Sequence, residues 1–436
     1  MSASTDPTQE SRLSLIESIK LLKDIRLWRI LVLGFASGYP WIIIGGSTLS
    51  IWLREEGFSR TNIGLLGIVF TAYTINFLWA PMLDAVKFKW LSGIGQRRSW
   101  ILVCQIALVL LTLSMAVCGP SLNIIAFALM AVGVGFFSAT QDLAIDAYRI
   151  TIIRPDEKEL IPFGAAMATS GWWLGFGIPA AFLLYLSDMM AWNYVYGVAA
   201  LMIVPVAILV LYWFEEPDVP PGSVSREWYT TVVVEYVETI KDFFGRHGAL
   251  IALSLLLFIF LFKIGEAFLG RMVGVFYTEV GYTKTEIATF SKLISTTITI
   301  VFAFCAGALM PRLGVFKMLF IAGIAMAITN LMFAWIAMTG PDLTLFLAAV
   351  VTDGITSSVS TVAFVAFITY YVSHLHAAGQ YGALASLGNA GRTLLAGFSG
   401  LLVDQLGGDW ALFFVLTSVA VAPALIVLLL IAVSMR

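Results

Sequence analysis

The chain has 436 residues, of which 60% are hydrophobic and only 12% charged, with a formal net charge of −2. Soluble domains run at about 45–50% apolar and about 25% charged, and the mean hydropathy here is +0.92. One water-soluble core cannot hold that much apolar surface, so the chain reads as an all-α polytopic membrane protein. The near-neutral balance leaves no basic footprint for nucleic acid. Cys104, Cys118 and Cys305 each sit inside an apolar run, and His247, His374 and His376 fall at segment ends. Neither a disulfide framework nor a metal-ligand spacing is present. No nucleophile–base pair suggests an enzyme, and no metal or cofactor is expected.

The first eleven residues carry no basic residue and no long apolar core, so a cleaved signal is not expected there. Residues 13–27 place Leu15, Ile19 and Leu22 on one face, with Lys20, Lys23 and Arg26 close by. That pattern predicts a short helix lying on the cytoplasmic membrane surface, within an N-terminal segment 1–29. An apolar run of about 20 residues crosses a bilayer. Such runs are expected at 30–53, 61–83, 99–118, 122–148, 161–184 and 192–213. The pattern resumes at 249–277, 286–309, 318–339, 343–372, 380–403 and 410–434. This gives a six-helix bundle over 30–213, a linker over 214–246 and a second six-helix bundle over 247–436. The linker opens with Glu215-Glu216-Pro217 and Val219-Pro220-Pro221-Gly222, and 226–245 is expected to be an amphipathic helix.

Orientation follows from the 25 lysines and arginines. Arg54, Arg60, Arg271 and Lys284 fall on one side, and Lys263, Lys292 and Arg392 within spans. All the others share the side of the N-terminus, which the positive-inside rule makes cytoplasmic, with both termini in. Shifting the chain by half its length aligns Gly164-Ala165 with Gly382-Ala383, Trp192 with Trp410 and Pro205 with Pro423. Two related six-helix halves are the parallel-repeat plan of major facilitator transporters, which bind substrate between the halves near the midplane.

The loop after the second span runs from Leu83-Asp84 to Gly95-Gln96-Arg97-Arg98. An acid at a helix end facing two arginines can lock neighbouring helices by charge-assisted hydrogen bonds. Asp84, Arg97 and Arg98 are candidate conformational residues, as a plain structural tie or as a bias on the access state. The fourth span holds Gln141, Asp142, Asp146 and Arg149. Asp142 and Asp146 stand four apart, on one helix face. Each ionised acid in mid-bilayer costs about 2.5–3.5 kcal/mol, so such groups face a cavity or are paired. Asp142 is the deeper and is the candidate proton carrier. Asp146 reads either as a second coupling acid or as a bridge to Arg149.

In the seventh span Lys263 and Glu266 are three apart. They read either as a self-neutralising pair or as a cation for an anionic substrate group beside a coupling acid. Arg392, among small residues of the eleventh span, would grip a carboxylate bidentately or pair with Asp353. Gly38-Tyr39-Pro40-Trp41 and Gly45-Gly46 are expected to break the first span and turn carbonyls toward an aqueous path. Gln141, Asn76, Tyr73, Gln380, Tyr381 and Asn389 offer hydrogen bonds to sugar hydroxyls or peptide amides. Tyr39, Trp41, Trp172 and Trp173 offer faces for sugar rings. Trp192 and Trp410, at the outer span ends, read as interface-belt residues.

Several segments together resemble the muropeptide permease (AmpG) family of the major facilitator superfamily. They are Gly34-Phe35-Ala36-Ser37-Gly38-Tyr39-Pro40, Leu49 to Arg54, Ile63-Gly64-Leu65, Phe77 to Asp84, Ser138 to Arg149, Gln380 to Arg392 and Gly400 to Asp404. The resemblance implies a 12-helix facilitator fold of two pseudo-symmetric halves in a bacterial inner membrane. It implies inward, proton-driven transport of N-acetylglucosaminyl-anhydromuramic acid, with or without its peptide, by a monomer whose partners are that substrate, protons and lipid. Two other readings stay open: a facilitator carrying another bulky anion of siderophore, nucleotide-sugar or acyl-CoA type, and a facilitator-like assembly factor that transports nothing. The latter predicts dispensable intramembrane charges.

Overall fold

The computed structural model describes residues 20–44, 46–58, 69–91, 93–154, 156–217, 228–282, 286–396 and 398–434. All regular structure among them is helical. The N-terminal helices are α1 (Ile25–Gly38), α2 (Pro40–Ile44), α3 (Gly46–Glu55), α4 (Thr71–Ile75), α5 (Ala80–Ala85), α6 (Gln96–Leu122), α7 (Ile124–Ile152), α8 (Ile161–Ser187), α9 (Trp192–Leu201) and α10 (Val204–Tyr212). They are followed by α11 (Trp228–His247), α12 (Ala249–Phe262), α13 (Ile264–Val280), α14 (Ser295–Leu313), α15 (Val315–Thr339), α16 (Leu343–Tyr371), α17 (Ala377–Ala396), α18 (Ser399–Gln405), α19 (Trp410–Val419) and α20 (Ala422–Ser434).

Among the described residues, 10 stretches are long and apolar enough to cross a membrane, from Ile25–Ile44 to Trp410–Ser434. The two expected spans outside that set are 61–83 and 380–403. The first begins in residues outside the described set and continues as α4, a 3-10 turn at Asn76–Leu78 and α5. The second is α17 followed by α18, rich in Gly and Ala. The surface helix expected at 13–27 falls mostly on residues that are not described. The linker segment expected to be helical at 226–245 is helical as α11.

Side chains start several helices at the end opposite the arginine-rich loops. Asn123 accepts from the N–H groups of Ile125 and Ala126 at the start of α7. Asp342 and Asp409 do the same for Leu345 and Leu412 in α16 and α19. Each supplies an acceptor for N–H groups that have no partner within the helix. Leu110, Val117 and Leu122 of α6 are exposed, as expected where lipid is the solvent of the outer surface.

Small residues decide the closest helix pair. Gly34 and Gly38 of α1 face Gly171 and Gly175 of α8. A Cβ on Gly34 or Gly38 would meet the carbonyl of Ala168 or Trp172, and one on Gly171 or Gly175 the carbonyl of Leu31 or Phe35. Two glycine pairs at i, i+4 spacing therefore let two backbones touch, the small-residue packing of membrane helices. The expected break in the first span is present as the turn at Tyr39 between α1 and α2, and what changes is the role of Gly38. The chain stays helical from Ile25 to Ile44 apart from the turn at Tyr39, and Gly38 serves a helix contact rather than an aqueous path. Gly45 is not described.

The internal repeat is visible as matching breaks. α9 begins at Trp192 and gives way to α10, whose second residue is Pro205; α19 begins at Trp410 and gives way to α20, whose second residue is Pro423. The two tryptophans are not belt residues. They are 7% and 9% exposed, and their indole N–H groups donate to Glu55 at 2.6 Å and Glu279 at 2.8 Å. Each clamps the end of an early helix, α3 or α13, to the start of a late one.

Candidate functional site

Helix α7 presents Ser138, Thr140, Gln141 and Asp142 to α1, to α4 and to Trp79. Ser37 Oγ of α1 donates to Asp142 Oδ1 at 2.7 Å. Gln141 Nε2 donates to the Ala36 carbonyl at 2.8 Å. Tyr73 OH of α4 donates to Ser138 Oγ at 2.7 Å, and Trp79 Nε1 to Thr140 Oγ1 at 3.0 Å. No ion pair joins Asp142 to any described residue. The carboxylate therefore has a hydroxyl donor and, among the described residues, no cation.

Aromatic rings flank this site. Trp41 lies 4.7 Å from both Phe70 and Tyr73 and 5.7 Å from Trp172, measured between ring centroids. Trp172 in turn meets Trp173 and Phe176. The indole N–H of Trp41 is buried without a hydrogen-bond partner among the described residues. Tyr39 stands apart: it is buried, and its hydroxyl donates to the Ala199 carbonyl of α9 at 2.7 Å. It ties helices together and presents no ring face to a ligand.

The second polar cluster lies where α12 gives way to α13. The backbone leaves helical geometry at Lys263, with φ −93° and ψ 7°. Lys263 Nζ donates to Glu266 Oε2 at 2.5 Å and to Thr361 Oγ1 of α16 at 3.0 Å. Ser357 Oγ donates to Glu266 Oε1 at 3.1 Å. Asp353, Ser357 and Thr361 are successive turns of one α16 face, so Asp353 shares the stripe that meets this pair. Asn389 is exposed on α17. Arg392 lies on α17 as well, and its side chain falls outside the described residues.

The N- and C-terminal helices are joined at the arginine-rich end. Asp84 and Arg97 form an ion pair of 2.6 Å with side chains 2% and 1% exposed. The same carboxylate accepts from Gly379 N at 2.8 Å and Ala378 N at 3.3 Å, capping the start of α17. Arg98 donates to the carbonyls of Val210 and Leu211 at the end of α10. Glu216 accepts from the N–H groups of Arg97 and Arg98, capping α6. Burial pushes the Glu216 carboxyl up, against the opposing pull of those two N–H groups.

Arg149 pairs with Asp146 at 3.1 Å, donates to Thr369 Oγ1 of α16 at 2.9 Å and lies 5.1 Å from the centre of the Tyr381 ring. Asp146 is therefore bridged to Arg149, whereas Asp142 is not. Gln380 is used up by the linker and the adjoining loop. Its Oε1 accepts from Arg246 at 2.7 Å and Ser373 N at 2.8 Å; its Nε2 donates to Asp242 at 2.7 Å and the Thr239 carbonyl at 3.2 Å. It fastens α11 to α17 and has no polar group left for a ligand in this state. Ser386 of α17 donates to Asn76 Oδ1 at 2.6 Å.

Sequence reasoning missed Ser37, Thr361 and Ser357. The last two carry a readable signal, since they continue the Asp353 stripe at intervals of four. Ser37 has none, because its partner lies 105 residues away.

Comparison with known proteins places the chain in a family. The profile of the Major Facilitator Superfamily matches residues 30–388. The AmpG 4 protein of Rickettsia conorii is 32% identical over 94% of this chain and 97% of its own length. The anhydromuropeptide permease of Escherichia coli is 30% identical over 94% of this chain and 80% of its own. Among solved structures, FucP superimposes with a TM-score of 0.68 at 11% identity, covering 94% of this chain and 98% of that one. The human organic anion transporter MFSD10 gives 0.66 at 14%, covering 94% and 99%. This all-helical, multi-pass membrane chain belongs to the major facilitator superfamily, among its AmpG-type permeases.

Proposed function

We propose that the protein imports anhydro-muropeptides, N-acetylglucosaminyl-anhydromuramic acid with or without peptide, across a bacterial inner membrane, driven by the proton gradient. The single observation that carries the coupling is Asp142: a carboxylate in the apolar interior, met by the Ser37 hydroxyl and by no described cation. The relatives supply the cargo by name, and the Trp41–Tyr73–Trp172 cluster beside the acid suits a sugar face. In this reading twelve spans form two six-helix halves, and the arginine-rich end with both termini is cytoplasmic.

The described state is then closed toward the cytoplasm. Asp84 on the α17 start, Arg149 on Thr369, and the Tyr370 hydroxyl on the Lys158 carbonyl are the ties to be released. Asp84, Arg97, Arg98 and Arg149 act on conformation. Lys263 and Arg392 meet the anionic groups of the cargo, with Glu266 and Asp146 as secondary acids. Protonation of Asp142 from the acidic side removes the charge penalty of about 2.5–3.5 kcal/mol and lets the halves reorient; loss of the proton to the cytoplasm makes import directional.

The test is accumulation of labelled anhydro-muropeptide by cells, with and without an uncoupler. No accumulation overturns the cargo; accumulation insensitive to the uncoupler overturns proton coupling alone.

A further inference from the structure

Pro40 follows Ala36 by four residues and has no N–H, so the Ala36 carbonyl lacks the donor that an uninterrupted helix supplies. Gln141 fills that place from α7, with Nε2 at 2.8 Å. The next residue on each helix makes the next bond, Ser37 to Asp142 at 2.7 Å. Two adjacent residues of α1 are thus fastened to two adjacent residues of α7, and the proline creates the need for the first fastening.

The other end of the same amide is also informative. Gln141 Oε1 and both polar atoms of Gln105 are buried without a hydrogen-bond partner among the described residues. Both side chains are 1% exposed. With Phe35, Ala36, Tyr39 and Pro40 they line one cavity that has room for about one water. Buried amide groups are nearly always met by protein or by ordered water.

We infer that Gln141 and Gln105 are positioning residues for Asp142. Gln141 replaces the N–H that Pro40 lacks, and one water in the cavity joins its Oε1 to the Gln105 amide. Together they fix the setting of α1 on α7 that brings Ser37 to the acid. This rests on Asp142 being the proton site proposed above. The titratable groups coupled to Asp142 are Asp146 on α7, which acts on it, and Tyr73 on α4, Cys104 on α6 and Tyr381 on α17, on which it acts. None of them belongs to the Pro40–Gln141 joint, so the joint can be altered without touching them.

The test is a double-substitution cycle on the full-length protein. Pro40→Ala returns an N–H to the Ala36 carbonyl. Gln141→Leu is expected to lower the Tm in detergent, and to lower it much less when Pro40→Ala is already present. Gln105→Leu is expected to act in the same direction as Gln141→Leu and more weakly. In reconstituted vesicles, the pH profile of anhydro-muropeptide uptake should move alike for Gln141→Leu and Ser37→Ala, and return toward wild type in Pro40→Ala/Gln141→Leu. An equal Tm loss from Gln141→Leu in both backgrounds, or an unmoved pH profile, overturns the role of Gln141. A silent Gln105→Leu overturns that of Gln105. Wild-type vesicles that take up no label would instead overturn the transport reading, and the Tm cycle would still decide the joint.

Discussion

Asp142 and Glu266 are both half-buried carboxylates on helices long and apolar enough to cross a membrane, and they are met by opposite means. Asp142 has a serine hydroxyl and no described cation; Glu266 has Lys263 at 2.5 Å and a serine besides. In the Lys263–Glu266 pair each group faces an opposite charge. An acid supported only by a hydroxyl must gain or lose a proton to change its cost. On the proposed reading, the acid without a counter-charge is the primary switch and the paired acid is secondary to it.

The sharpest way to break that comparison is to neutralise each acid in turn. Asp142→Asn is expected to leave the protein inserted and folded while reducing uncoupler-sensitive accumulation about 100-fold or more, within the range that a lost proton-transfer group costs. Glu266→Gln strands a buried ammonium and is expected to cost about 3–5 kcal/mol of stability, read as loss of Tm and of folded yield. Lys263→Met/Glu266→Gln should recover most of that loss, because removing both members of a buried pair is far less damaging than removing one. A double substitution as unstable as the sum of the singles would show that the pair does more than neutralise itself.

Smaller effects test whether the two halves are framed alike. Trp192→Phe and Trp410→Phe each lose one indole hydrogen bond, to Glu55 or Glu279, and should each cost about 0.5–1.5 kcal/mol in thermal unfolding. Unequal losses would show that the repeat is structural without being energetic. The smallest effect concerns Glu157, which Arg26 bonds and thereby holds below the ordinary value of 4.5. A carboxyl lowered in this way contributes stability that is complete above that value and is lost as pH falls through the lower, folded-state value. The Tm gap between wild type and Glu157→Gln should therefore be largest near neutrality and close as the medium is acidified below about 4.5.

The parts legible in the sequence were those written in local spacing. The apolar runs located the long helices, and three-residue intervals put Asp146 near Arg149 and Glu266 near Lys263. Across one short loop, Asp84 could be matched to Arg97. Contacts between distant segments carry no such signal. Ser37 is an ordinary serine until α1 is laid on α7. Gln380 reads as a cavity amide until α11 folds beneath it and, together with Ser373 N, takes all of its side-chain hydrogen bonds. Trp192 and Trp410 were misread because a tryptophan at a span end resembles an anchor in the headgroups, and only the fold brings Glu55 and Glu279 to their indoles. The glycines at 34, 38, 171 and 175 have a visible spacing, but one sequence does not say which helix they will meet.

That glycine contact has a mechanical consequence. Where side chains interdigitate, two helices can slide by exchanging rotamers, at small cost for each step. Where backbone lies on backbone there is no rotamer to exchange, so α1 and α8 have one seating and nothing to shift between. A motion that opens either end of the protein must carry these two helices together like a hinge leaf, and bending is left to the residues beyond Gly38.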